Sequence, residues 1–182
     1  MYVVNCSLNP KSKGRRVFDK IQEEYKNFNY VDLEDYPLPH CNGWTQSAFE
    51  DKNVKILHDK LIDSKGILLV APVYNWDINS VAKNFMEMLG TPYEKNGLTG
   101  KVFHHKVIGI IAISGSKSSY LAHLGLMNSF MIDFQAFIVP KHALITREDF
   151  KEDGSFNMTY VNETVDYFEK MVKALGGVMA KS

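Results

Sequence analysis

The 182-residue chain predicts an α/β fold: a doubly wound, three-layer α/β/α sandwich on a five-stranded parallel sheet of order 2-1-3-4-5. Three observations lead there. Strand and helix patterns alternate along the whole chain, and right-handed crossovers then put helices on both faces. Two strand candidates, Ile67 to Ala71 and Val107 to Ile113, are continuous aliphatic runs, as suits central parallel strands covered on both sides. The loops after strands one, three and four are polar, and in such a sheet they converge on one crevice at the switch point between the first and third strands.

The strand candidates are residues 2–6, 30–33, 66–71, 106–113 and 136–139. Helical spacing links Val17, Ile21, Tyr25 and Phe28, then Leu57 and Leu61, then Val81, Phe85 and Leu89. A fourth stripe runs through Leu121, Leu124, Asn128 and Met131, and a very regular fifth through Val161, Val165, Phe168, Val172 and Leu175. Two connections exceed the minimum. Residues 34–50 are Pro-rich with exposed aromatics (Tyr36, Trp44), and residues 140–159 are polar with a turn at Asp153-Gly154. Loops of that length tend to be lids or interface segments.

Composition narrows the function. The hydrophobic fraction of 45% and charged fraction of 23% are those of a globular domain, and the length fits one domain. Basic and acidic residues balance at 21 each, so no field favours nucleic acid or a basic partner. Cys6 and Cys41 form neither a C-x-x-C metal spacing nor a disulfide framework. No apolar run approaches the ~18 residues that span a bilayer, and the N-terminus enters a strand pattern without a leader-like region. A cytoplasmic protein with no membrane partner is expected.

The first crevice loop, Ser7-Leu8-Asn9-Pro10-Lys11-Ser12-Lys13-Gly14-Arg15-Arg16, opens the first helix. Its hydroxyls, its amide and the free N–H groups of a helix start make an anion pocket, with Lys11, Lys13, Arg15 and Arg16 adding charge. It is neither a Walker A loop nor G-x-G-x-x-G, so a phosphate monoester fits better than a triphosphate or dinucleotide. An ordinary capped helix with a solvated basic face is the plain alternative. The second loop, Ala71-Pro72-Val73-Tyr74-Asn75-Trp76-Asp77-Ile78-Asn79-Ser80, lies between strand three and its helix. Tyr74 and Trp76 could flank a planar ring and the N–H groups of residues 74–77 could bond its polar edge, with Asn79 or Ser80 capping the helix. The same aromatics could simply cover the sheet edge. The third, Ser114-Gly115-Ser116-Lys117-Ser118-Ser119, is small enough for a flat ligand to approach the backbone.

Other candidates carry less. His104-His105 would point to opposite faces of a strand and read as surface residues rather than metal ligands. Cys6 reads as a small buried hydrophobe, and Met86, Met88, Met127 and Met131 as core or interface filler. No Ser-His-Asp set or metal site is recognisable.

These loops resemble those of the NAD(P)H-dependent FMN reductase family. Ser7-Leu8-Asn9-Pro10-Lys11-Ser12 is similar to its phosphate loop, Gly-Ser-x-Arg-x-x-Ser. Pro72 to Asn84 is similar to its Pro-Glu-Tyr-Asn-Gly-Ser-Ile-Pro-Gly-x-Leu-Lys-Asn, and Ser114-Gly115-Ser116 stands at its third flavin loop. The likeness spans about residues 1–175, and the second motif is the specific one. It implies a single flavodoxin-like domain over 1–182 that binds FMN noncovalently, in a homodimer or a tetramer of dimers, with NADPH or NADH as co-substrate. Carried over by position, Ser7, Asn9 and Ser12 hold the phosphate with backbone from Lys13 and Gly14. Pro72, Tyr74, Asn75, Trp76 and Asp77 line the isoalloxazine, and Ser114, Gly115 and Ser116 meet its other edge.

The chain also departs from the family. Asn9 replaces Arg, so the phosphate charge falls to Lys11, Lys13, Arg15 or Arg16. Val73 replaces Glu, Asn79 replaces Pro, and Trp76 stands where the family has Gly. The implied activity is hydride transfer from nicotinamide through flavin N5 to a small acceptor such as free flavin, a quinone, an azo dye or a nitro compound. The cofactor carries that chemistry, so no catalytic side chain is expected. The alternatives are a flavodoxin-type electron carrier, which zero net charge disfavours, and an FMN-binding protein with little turnover. An iron–sulfur relative is disfavoured because no cysteine cluster is present.

Overall fold

The computed structural model describes residues 1–43 and 45–179. Trp44 therefore lies outside the described residues. The strands are β1 (Tyr2–Asn5), β2 (Asn29–Asp32), β3 (Gly66–Tyr74), β4 (Asp77–Ile78), β5 (Pro92–Tyr93), β6 (Leu98–Thr99), β7 (Val107–Ile113), β8 (Phe137–Ile138) and β9 (Ala143–Ile145). The α-helices are α1 (Lys13–Glu24), α2 (Lys52–Leu61), α3 (Ser80–Gly90), α4 (Leu124–Phe134) and α5 (Thr159–Met179). The main sheet runs β2-β1-β3-β7-β8, with β9 also on β7, and these pairings are all parallel. That is the expected 2-1-3-4-5 order of a flavodoxin-like sandwich.

Each strand divides its side chains between two cores, as a two-residue period requires. On β3, Ile67, Leu69, Ala71 and Val73 face the core shared with α2, α3 and α4, while Leu68 and Val70 face the core shared with α1 and α5. Phe103 stitches the first core, with its ring 5.6 Å from Phe85, 5.1 Å from Phe130 and 5.4 Å from Phe134. Val161, Val165, Phe168 and Val172 close the second, as their spacing predicts.

Three expectations need correction. The fifth strand is not one run over 136–139: β8 ends at Ile138, and β9 resumes the pairing with β7 at Ala143, inside the segment read as a polar loop. Pro140 lies in the gap and has no N–H to offer a ladder. The stripe expected for α4 is out of phase. Leu126, Met127, Phe130 and Phe134 are its buried face, whereas Leu121, Leu124 and Met131 are exposed. A helix apolar nearly all round has no single clear stripe to read. Finally, His104 and His105 precede β7 in a turn and are half-buried, with the His104 ring 5.5 Å from Phe134.

Candidate functional site

Loops from the carboxyl ends of β1, β3 and β7 meet at one sheet edge. In the first, Ser12 is the N-cap of α1 and its Oγ accepts the Arg15 N–H at 3.0 Å. The Ser7 hydroxyl donates to the same oxygen at 2.8 Å. Asn9 shapes the turn: its carbonyl accepts the Ser12 N–H and its Oδ1 accepts the Lys11 N–H, both at 2.9 Å. The N–H groups of Lys13 and Gly14 lie in the first helical turn, where no intrahelical acceptor exists. Gly14 is buried, and a Cβ there would sit 3.6 Å from Ser7 Cβ, so the loop is closely wrapped on the helix start. The result is a cradle of hydroxyl and N–H donors at the positive end of a dipole.

The cations are not arranged as expected. Arg15 turns away to pair with Asp32 and with Asp19 at 2.9 Å, with Glu34 at 3.3 Å. The Lys13 ammonium lies 5.1 Å from the Phe150 ring centroid, and the Arg16 guanidinium packs near Gly154. Lys11 is exposed and forms no ion pair among the described residues.

The second loop is tighter than the sequence suggested. β3 extends to Tyr74 and turns straight back as β4, pairing Val73 with Ile78 and Tyr74 with Asp77. Asn75 and Trp76 are the two turn residues, both left-handed, at φ 50° and 68°. This is the twist that a two-residue hairpin demands. It presents Tyr74 and Trp76 to solvent at 59% and 66% exposure. Pro72 lies buried beneath, its carbonyl accepting the Asn79 N–H at 2.9 Å. Asn79 occupies the N-cap position of α3, but its side chain does not cap: Nδ2 donates to the Cys6 carbonyl at 2.7 Å, and Oδ1 is buried with no hydrogen-bond partner among the described residues. The bond to Cys6 ties the hairpin base to the end of β1. Ser80 lines clefts on both sides of this base. One, about 160 Å³, lies against Leu8, Tyr36 and Val81; the other, about 410 Å³, against Asp77, Lys83 and Ser129.

In the third loop, Ser114 is buried and its Oγ accepts the Ser116 N–H at 3.2 Å. Ser116 Oγ in turn accepts the Ser118 N–H at 3.2 Å, capping a short 3₁₀ turn. A Cβ on Gly115 would meet nothing within 4 Å, so the backbone there is open to a ligand. Behind this loop the His123 and His142 rings stack with centroids 3.6 Å apart. Burial, reinforced by His142, pushes His123 down to about 4.

The three loops thus set donors for an anion, a rigid aromatic hairpin and an open backbone turn side by side. Fold and crevice together define a flavodoxin-like α/β protein with an anion cradle at its switch point. The model of the family described as NADPH-dependent FMN reductase matches residues 1–151, and the chain belongs to that family. It is accordingly an oxidoreductase of the class that uses FMN with NAD(P)H as electron donor. An NAD(P)H-dependent FAD/FMN reductase of Geobacillus thermodenitrificans (strain NG80-2) is 23% identical over 136 residues, 74% of this chain and 68% of that protein. Among solved structures, FerB from Paracoccus denitrificans, a flavoenzyme NAD(P)H:(acceptor) oxidoreductase, superposes with a TM-score of 0.67 at 22% identity. That match covers 95% of this chain and 92% of that one. The apo form of an NADH:FMN oxidoreductase gives a TM-score of 0.64 at 10% identity, covering 95% and 88%. At such identities these structures speak for the fold alone.

Sequence reasoning missed two sets of residues. Asn5 and Asp32 end β1 and β2 as buried polar groups; a polar residue closing an apolar strand was the available signal. Asn84, in the second turn of α3, accepts the Cys41 N–H at 2.8 Å and donates to the Pro39 carbonyl at 3.0 Å. It clamps the long loop after β2 onto α3, and nothing in its spacing announces that.

Proposed function

We propose that this chain carries hydride from NADPH or NADH through FMN to a small acceptor: free flavin, a quinone, an azo dye or a nitroaromatic. The observation that carries the reading is the meeting of cradle, hairpin and open turn at one sheet edge, in a member of this family. Bound FMN would supply the redox chemistry between nicotinamide and acceptor, which no side chain of the crevice need provide. The protein's part is to hold and orient. The Ser12 hydroxyl, oriented by the Ser7 hydroxyl that donates to it, the Asn9 amide and the N–H groups of Lys13 and Gly14 receive the phosphate. The hairpin from Pro72 to Asp77 lines the ring, with the backbone N–H groups of the turn residues Asn75 and Trp76 toward its polar edge. Ser114, Gly115 and Ser116 meet the opposite edge. Trp76, rigid at the hairpin tip, narrows the space an acceptor enters and so sets acceptor choice.

In this reading residues 1–182 form one domain working in the cytoplasm. A homodimer or tetramer would cover Leu124, Met131 and Ile132, which α4 leaves exposed at 48%, 46% and 69%. No helix among the described residues is long and apolar enough to cross a membrane.

The test is direct. Purified protein mixed with FMN should show a bound-flavin visible spectrum, bleached by NADPH or NADH and restored by a quinone or free flavin. Bound flavin that neither nicotinamide reduces would favour an electron carrier, and absence of flavin binding would overturn the reading.

A further inference from the structure

The cradle is held by a closed circuit of polar side chains that joins β1, β2 and α1. Asn5, fully buried at the end of β1, grips Ser7 on both backbone groups: Oδ1 accepts the Ser7 N–H and Nδ2 donates to the Ser7 carbonyl, each at 3.1 Å. The same Nδ2 donates to Asp32 Oδ1 at 3.0 Å. Asp32, 6% exposed at the end of β2, also accepts the Glu34 N–H at 3.0 Å, and its other oxygen pairs with Arg15 Nη1. Arg15 sits in the first turn of α1 and returns to the loop through its own N–H, which donates to Ser12 Oγ. Ser12 Oγ accepts the Ser7 hydroxyl, and the circuit closes.

Ser12 Oγ thus accepts twice and keeps its own proton for an outside acceptor, while Ser7 is fixed from both sides. The electrostatics are as specific as the geometry. Three carboxylates, from Asp32, Asp19 and Glu34, surround one guanidinium. Arg15 is therefore committed to neutralising Asp32, whose charge would otherwise stand uncompensated beside the phosphate cradle.

We propose that Asn5, Asp32 and Arg15 are positioning residues for the flavin phosphate, acting through Ser7 and Ser12 and never touching the phosphate. This rests on the FMN reading above, and it makes phosphate recognition separable from ring recognition. FMN and riboflavin share the ring and differ by the phosphate, so damage to the circuit weakens FMN alone.

The experiment compares FMN and riboflavin affinities by flavin fluorescence quenching for the unmodified protein, Asn5→Ala, Arg15→Gln and the double variant Arg15→Gln/Asp32→Asn. Thermal melting of each ligand-free protein reports folding. Asn5→Ala and Arg15→Gln should weaken FMN about tenfold or more, the scale of losing a hydrogen bond to a charged group, with little change for riboflavin. The double variant removes both charges together and should recover part of the FMN affinity, because the carboxylate that Arg15 neutralises is gone as well. If either single variant fails to fold, Arg15→Lys, which keeps the charge but loses the fork, takes its place with the same expected split. Equal losses for both flavins, or an unchanged FMN affinity in folded variants, would overturn the proposal while leaving the FMN reading intact. An unmodified protein that binds neither flavin would overturn both.

Discussion

Trp76 stands in left-handed backbone at the tip of the β3–β4 hairpin, where glycine is the residue favoured by such turns. A bulky side chain there costs about 1 kcal/mol of strain, and with its ring two-thirds exposed it recovers little of that by burial. Strain retained without packing reward points to a use for the ring, which is why acceptor choice is assigned to it. Trp76→Gly should therefore raise the melting temperature of the ligand-free protein by about 2–4 °C, the shift that ~1 kcal/mol gives at this chain length. The same change should alter relative rates with bulky and small acceptors. A lower melting temperature would mean that the indole packs on something the hairpin needs. The residue types in this loop were legible from the sequence, but the geometry was not. Asn-Trp lacks the Asn-Gly that announces a tight turn, so the strand read as ending at Ala71 rather than running on to Tyr74.

Among the elements, two contacts make specific demands. Asn84 holds the loop after β2 with two hydrogen bonds to backbone, helped by Asn53, whose Nδ2 donates to the Pro37 carbonyl at 2.9 Å. Asn84→Ala should cost about 1–3 kcal/mol and speed limited proteolysis within residues 34–50 before any global unfolding. Unchanged cleavage there would show that the clamp is idle. The broken fifth strand makes the second demand. Its gap places His142 on His123, and Lys141 adds positive charge from the same gap. His123 is held near 4 against an ordinary value of about 6.5, so between those values the unfolded chain binds a proton that the native one refuses. Stability is then full above about pH 6.5 and falls as the pH drops toward 4. Denaturant midpoints at pH 7 and pH 5 should differ in that direction, and His123→Gln should flatten the slope. An equal slope in the variant would assign the acid sensitivity elsewhere. A histidine pair 19 positions apart in sequence gives no periodic signal, which is why sequence reasoning passed over it.

At the scale of the whole molecule, the pattern of aliphatic strands alternating with amphipathic helices was enough to predict the sheet and its order. Burial on both faces leaves few alternatives for Ile67 to Ala71 or Val107 to Ile113. The three loops were legible as a group because strand ends converge in this fold. What was not legible is how polar side chains share their bonds: Arg15 reads in sequence as one of four cations near the phosphate and serves Asp32 in space. The central claim is that one crevice, built by those three loops, receives FMN. Hydrogen–deuterium exchange with and without FMN tests it most directly. FMN should slow exchange at residues 7–14, 72–79 and 114–119 and leave the opposite sheet edge at residues 62–66 and 104–107 unchanged. Protection confined to other segments, or none at saturating FMN, would contradict it.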